Sequence, residues 1–352
     1  MIRIGWFAQP LPFSGPQAAW VYSRGIMGSD TTWRHLFSIV TPTYNRAHTL
    51  ERVYRSLQEQ SYQDFEWVVV DDGSTDGTRQ RVEAWQAEAG FPIRYVWQAQ
   101  QHKKTALNTG IRQARGEWVV LLDSDDELDS SALCHMARAW EEIPLDRRAL
   151  FVGITGLCAR PDGQVVGDPY PLDVMDATPL EMYFRHRVRG EKFGCLRTDI
   201  VRGFPFPEGV AGFVPESLVW RAMARAGYQT RFVNQVFRVY HDSPDSLTRQ
   251  TTAGDMRVLA PGLWLLAHDT LDQCLGWFYQ RPWAFFSAAA RYTRFGLHWR
   301  SLGLPRPLDC RLTRPAARLL VALAWPLGLG LFLRDQAPRY GMRSRPRHPG
   351  RP

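Results

Sequence analysis

Disulfide chemistry has little to work with in this chain. Its five cysteines (Cys134, Cys158, Cys195, Cys274 and Cys310) are scattered, odd in number and without a Cys-x-x-Cys pair. That argues against a disulfide framework or a thiolate zinc site, and for a reducing compartment. Residues 1–33 mix Gly, Pro, Gln and Ser with no continuous apolar stretch, which argues against a cleaved secretory signal. No Gly-x-Gly-x-x-Gly follows the first predicted strand and no Gly-x-x-x-x-Gly-Lys-[Ser/Thr] occurs, so neither a dinucleotide fingerprint nor a P-loop is present. Lysine is scarce, and nearly all the basic residues are Arg. The uncharged apolar run at 319–333 has 15 residues, short of the ~20 that a bilayer-spanning helix needs.

What is present begins with a real core: the hydrophobic fraction is 45% and there are 14 Trp in 352 residues. Charge is unevenly placed. Residues 281–352 hold 14 Arg and no Lys against two acids, a net +12, which leaves −4 for the rest of a chain whose total is +8. An acidic body without a recognition motif argues against nucleic acid as a partner.

Four apolar runs alternate with helical spacing. Phe37-Ser38-Ile39-Val40 reads as a strand, 47–60 as a helix with Leu50, Val53, Tyr54 and Leu57 on one face, and 65–70 as a second strand. Val82 and Trp85 mark a second helix, 93–97 a third strand and 102–115 a third helix closed by Gly116. Trp118-Val119-Val120-Leu121-Leu122 is then a strand buried on both faces. This β-α-β-α-β-α-β order predicts a parallel sheet with right-handed crossovers, in which ligands bind beyond the carboxyl ends of the strands.

Polar clusters fall at those ends: Thr41-Pro42-Thr43-Tyr44-Asn45-Arg46, Asp71-Asp72-Gly73-Ser74 and Asp123-Ser124-Asp125-Asp126. Strand alternation puts Asp123 and Asp125 on one side and turns Asp126 away. Adjacent carboxylates repel unless a cation lies between them, and Mg²⁺ or Mn²⁺ commonly bridges such carboxylates to substrate phosphates. Asp71 or Asp72 is placed to accept from a base N–H or a ribose hydroxyl. Solvated strand ends, or an N-cap for the helix after Ser130, are the plainer readings.

The three motifs, in this order and spacing, resemble the family 2 glycosyltransferases of the GT-A fold over about residues 37–246. The resemblance implies a Rossmann-like, mostly parallel α/β sheet and sugar transfer from a nucleotide diphosphosugar, UDP-linked, to a hydroxyl with inversion. It places Pro42, Thr43, Tyr44, Arg46, Asp72, Asn108 and Ser124 on the donor side. It makes Asp123-Ser124-Asp125 a metal-binding DxD motif for Mg²⁺ or Mn²⁺, with His241 as a further ligand. Lys103 or Lys104 would be the basic residue nearby, and Lys104 is the one assigned to the substrate. Glu216, opening a helix over Leu218, Val219 and Met223, would be the catalytic base, although Pro215-Glu216-Ser217 departs from the family's paired acids. An acid favoured by the helix dipole is the alternative for Glu216. A sugar-nucleotide-binding scaffold and a nucleotidyltransferase are the alternatives for the whole chain; the latter normally carries a Gly-rich basic loop where this chain has Thr41–Arg46.

Downstream, 151–157 and Pro161-Asp162-Gly163 fit a hairpin, 189–195 a Gly-bounded segment lining the acceptor side, and 232–240 a further strand. From Thr252 the chain is helical, aromatic and basic. The organisation expected is an arm over 1–35, the GT-A domain over 36–250 and a helical, basic, membrane-associated region over 251–352. The acceptor is expected to be a lipid-linked or cell-envelope glycan, and the location cytoplasmic, peripheral on the inner membrane face, with 319–333 re-entrant or interfacial beside its Arg flanks.

Overall fold

The computed structural model describes residues 33–241, 256–303 and 311–336. Most of the expected arm, Asp242, Cys310 and the Arg-rich end after 336 lie outside the described residues.

A nine-stranded sheet forms the body, in the order β3-β2-β1-β4-β8-β6-β9-β5, with β7 also paired to β9. Its first half is built from β1 (His35–Thr43), α1 (Ala47–Gln58), β2 (Phe65–Asp71), α2 (Thr78–Glu88), β3 (Ile93–Trp97), α3 (Lys103–Gln113) and β4 (Gly116–Leu121). β1 pairs in parallel with β2 and β4, and β2 with β3. β2 is buried at every position, and the outward-pointing faces of these strands are covered by α1 and α2 on one side and α3 on the other. Tyr54 of α1 stacks on Trp85 of α2, with ring centroids 4.6 Å apart, over Trp67 of β2. Gly110 lets α3 lie against β1: a Cβ there would stand 2.2 Å from the Val40 side chain.

The second half contains β5 (Glu127–Leu128), α4 (Ala132–Glu141), β6 (Phe151–Ala159), β7 (Val174–Ala177), α5 (Pro179–Phe184), β8 (Lys192–Arg197), α6 (Thr198–Val201), α7 (Ser217–Arg225) and β9 (Gln229–Val239). Antiparallel pairing enters the sheet in this half. Only β6–β9 is parallel in this half; β4–β8, β6–β8, β5–β9 and β7–β9 are antiparallel, so the sheet as a whole is mixed. The Gly-bounded segment expected on the acceptor side at 189–195 is in large part β8, inserted between β4 and β6.

Among the described residues three α-helices follow: α8 (Met256–Gln273), α9 (Pro282–Ser301) and α10 (Pro315–Gln336). They share a core of Leu271, Phe285, Ala289, Leu320 and Ala324 that also takes in Leu180 and Phe184 of α5. The apolar run at 319–333 is extended at both ends, giving a helix of 22 residues that is long and apolar enough, by length and composition, to cross a membrane. Ala317, Leu320, Ala324 and Gly328 face α9, while Leu319, Leu323 and Leu327, spaced one turn apart, are 60–63% exposed.

Candidate active site

Parallel register brings the predicted clusters together. Thr43 pairs with Asp71, so β1 and β2 end at one level, and Val40 pairs with Leu121, so β4 stops three residues short of it at the same edge. The first two loops are stitched to each other. The Asp72 amide donates to Thr43 O at 2.9 Å, the Asn45 amide to Ser74 Oγ at 2.8 Å, and the Thr75 amide to Asn45 Oδ1 at 2.8 Å. Asn45 has φ 52°, a left-handed conformation that Asn tolerates better than most residues. Asp71 accepts the Ser74 amide at 2.7 Å and the Tyr95 hydroxyl, which shapes this loop. Asp72 accepts Gln98 Nε2 and the Gln101 amide, both on Oδ1. Tyr44 is exposed, whereas Ser124 is buried and its carbonyl accepts Thr49 Oγ1.

β4 stops at Leu121 and the chain turns, with the Asp126 amide donating to Asp123 O at 3.3 Å. The alternation rule therefore fails here, because the acids sit on a turn and not on a strand. Asp123, Asp125 and Asp126 all present oxygens within 4.8 Å of one another. Asp126, expected to point away, is part of the cluster. His241 is not: its Nε2 lies 2.9 Å from Glu127 Oε1, and its amide donates to Asp126 Oδ1.

Electrostatics divide the three acids. Burial pushes the Asp126 carboxyl up to about 7, with Asp123 adding to the rise and Arg238 opposing it. Burial and the neighbouring Asp123 raise Asp125 as well. Burial would also raise Asp123, but the Lys103 ammonium and the Arg238 guanidinium outweigh it and hold this carboxyl below the usual range.

Lys103, at the start of α3, bridges two elements: Nζ is 2.6 Å from Asp123 Oδ1 and 3.0 Å from Glu216 Oε1. Lys104 points elsewhere and donates to Gly212 O at 2.8 Å. Asn108 clamps the turn before Glu216, donating to Phe206 O and Glu208 Oε1 and accepting the Phe206 amide. Glu216 stands at the N-cap of α7 without making a side-chain cap bond. Arg46 Nη1 lies 3.6 Å from Asp125.

Sequence reasoning passed over Arg238. It is buried in β9, 3.3 Å from Asp126 and 3.4 Å from Glu191, with its guanidinium over the Phe193 and Tyr240 rings. A charged residue inside the otherwise uncharged strand 232–240 was the available signal, since such a residue must be paired to be buried.

Hard oxygen donors, two of them with raised protonation, are the donor set that Mg²⁺ or Mn²⁺ takes. The carboxylates crowd one another, and a cation relieves that repulsion better than protons do above neutral pH.

Comparison with known proteins agrees with this architecture. Residues 38–150 match the family described as Glycosyl transferase family 2. Over 295 residues, 81% of this chain and 92% of the relative, it is 25% identical to a GalNAc(5)-diNAcBac-PP-undecaprenol beta-1,3-glucosyltransferase of Campylobacter jejuni. Over 173 residues, 49% of this chain and 64% of the relative, it is 28% identical to a putative teichuronic acid biosynthesis glycosyltransferase, TuaG, of Bacillus subtilis. Among solved structures, S. aureus TarS in complex with UDP-GlcNAc superposes with a TM-score of 0.54 at 19% identity, covering 85% of this chain and 81% of that one. The mannosyltransferase PcManGT of Pyrobaculum calidifontis, in complex with GDP-Man and Mn²⁺, gives 0.52 at 18% identity, covering 90% and 92%. Residues 38–150 thus match glycosyl transferase family 2, and the sheet with its crossovers has the GT-A fold of the solved glycosyltransferases.

Proposed function

We propose that the chain transfers a sugar, with inversion, from a UDP-linked donor to a hydroxyl of a lipid-linked or cell-envelope glycan. The observation that carries this reading is the Lys103 bridge, which brings Glu216 to the strand-end acids Asp123, Asp125 and Asp126. The C. jejuni relative, whose name specifies an undecaprenol-linked substrate, supports the acceptor class. The UDP-GlcNAc complex of TarS supports the nucleotide.

Asp72 is the acid of its pair left to meet the nucleotide, because both Asp71 oxygens already hold the loop. Pro42, Thr43, Tyr44 and Arg46 line the same edge, with Ser124 behind them. Asp123, Asp125 and Asp126 would hold a divalent cation, and such a cation when bound offsets the charge of a departing diphosphate. Glu216 takes the proton of the attacking hydroxyl as the sugar develops oxocarbenium character. Lys103 keeps Glu216 and Asp123 on one site in the meantime. His241 steadies Glu127 and, through its amide, Asp126, which is a supporting position for a residue expected as a ligand.

A thermal-stabilisation screen of UDP-glucose, UDP-GlcNAc and GDP-mannose, with Mn²⁺ and without, tests this reading. A UDP-sugar should raise the melting temperature in Mn²⁺ and much less in EDTA. No stabilisation by any UDP-sugar in Mn²⁺ would remove the donor assignment.

The inner leaflet of the membrane is the proposed location, reached through the outer face of α10, where Leu319, Leu323 and Leu327 stand exposed among the described residues. Arg318 and Arg334 flank this face and suit anionic headgroups. Removing the helix would bare the core that Leu320 and Ala324 share with α9, so point changes are the cleaner probe. Replacing Leu319, Leu323 and Leu327 together by Glu should abolish flotation with anionic vesicles while the melting temperature stays close to wild type. Wild-type flotation of the triple variant would rule out this face.

A further inference from the structure

Two poor helix formers stand side by side in α8, Pro261 and Gly262. Pro261 brings no N–H to the helix ladder, and near this interruption Val258 gives its carbonyl to an outside partner, the Phe213 amide, at 2.9 Å. Gly262 is the point of closest approach. A Cβ there would stand 2.0 Å from Phe213 O and 3.0 Å from Val214 Cα. Gly212, at φ 72°, abuts Val258 from the other side.

The segment seated in this way is the one that delivers Glu216. Its opposite edge is tied to the nucleotide half by Lys104, which donates to Gly212 O at 2.8 Å. Beyond Glu216, α7 is tied back to α8. Arg221 meets Asp269 at 3.3 Å and Thr270 at 2.9 Å, and Arg225 meets Asp269 at 2.8 Å. Glu216 thus lies between two attachments to the same helix, and 3.0 Å from Lys103.

We propose that the Pro261-Gly262 interruption of α8 is a seat that positions the Glu216-bearing segment, so that the C-terminal helical unit completes the transfer site. Gly262 and Asp269 are then positioning residues, acting on the reaction through Glu216. This deepens the proposed function and rests on its reading of Glu216 as the base. The donor-side acids lie on the ends of β2 and β4, which α8 does not hold, so the seat should govern turnover and not nucleotide affinity.

The test compares Gly262→Ala with wild type in three measurements. Turnover of the nucleotide sugar selected by the thermal screen should fall about tenfold or more. Affinity for UDP in Mn²⁺ should stay within about twofold. Hydrogen exchange at the Phe213 amide should accelerate at least about tenfold. Asp269→Asn, which adds no atom to the core, should show the same split between turnover and UDP affinity and covers the case of a poorly folding Gly262→Ala. Wild-type turnover in both variants, or a loss of UDP affinity in step with turnover, would overturn the proposal. Glu216→Gln is measured alongside. If that variant retains full turnover, the base assignment is what fails; if it is slow while Gly262→Ala and Asp269→Asn are not, the seat is what fails.

Discussion

Glu216→Gln should slow sugar transfer by ~10²–10⁴-fold, the range a positioned general base supplies, while UDP affinity in Mn²⁺ stays close to wild type. The substitution keeps the length and shape of the side chain and removes its capacity to take a proton. It breaks no helix cap, since Glu216 makes no side-chain cap bond. Lys103 keeps its shorter contact, 2.6 Å to Asp123, so the donor side should not collapse. If Glu216 serves only the helix dipole, the same change costs ~0.3–1 kcal/mol of stability and leaves turnover untouched. A melting temperature, a UDP titration and a single-turnover rate on this one variant separate the two. Full turnover in a stable variant would move the base to another carboxylate; Glu191, joined to Asp126 through Arg238, and Asp242 are the next to replace.

Asp125→Ala should cost about 10³-fold or more in transfer and abolish the Mn²⁺ dependence of donor binding, because one carboxylate of three is lost where a divalent charge would sit. Stability should move the other way. The Asp125 carboxyl is raised by burial and by Asp123, and Asp126 is raised to about 7, so the folded state holds these protons more tightly than the unfolded chain. Their contribution is complete below the ordinary carboxylate range and is lost as pH rises through the folded values, up to about 7 for Asp126. In EDTA the wild type should therefore melt lower at pH 8 than at pH 5.5, with Mn²⁺ restoring much of the loss. Asp125→Ala should show a shallower decline and almost no Mn²⁺ effect. A variant with wild-type transfer and wild-type Mn²⁺ dependence would remove Asp125 from the cation site. The backbone contact from Arg52 to Asp125 O, at 2.6 Å, survives the substitution and argues against local unfolding.

The half of the fold built from consecutive β-α units was legible because its information is local. Each strand is a short, largely apolar run, the helices carry apolar residues at helical spacing, and parallel pairing carries neighbouring strand ends to one edge. That is enough to bring Thr43, Asp72 and Asp123 to one edge from sequence. β8 was not legible as a strand, since its partners, β4 and β6, lie far from it in the chain and the run between Gly190 and Gly194 is only three residues long. Lys103 and Lys104 could not be told apart because one residue turns a helix by about 100°, and the phase at a helix start depends on where the first turn begins. Asp126 was misjudged because the period of a strand was carried one turn beyond Leu121. Arg238 sits more than a hundred residues after the acids it neutralises, and nothing in the local pattern of β9 names them.

The placement of β8 also sets an order of events during synthesis. β1 to β4 can pair with one another as soon as residues 35–121 have emerged, yet β4 then offers an open edge of Trp118, Val119 and Val120. Its second neighbour is Lys192–Arg197, seventy residues later, and β6, made earlier, must leave room for that strand to slide between. A nascent chain therefore carries a bare apolar strand edge at the middle of its future sheet throughout that interval, the kind of surface on which chains pair wrongly. Slow translation between residues 121 and 197 prolongs the exposure, and a chaperone that covers strand edges would be needed most in that window.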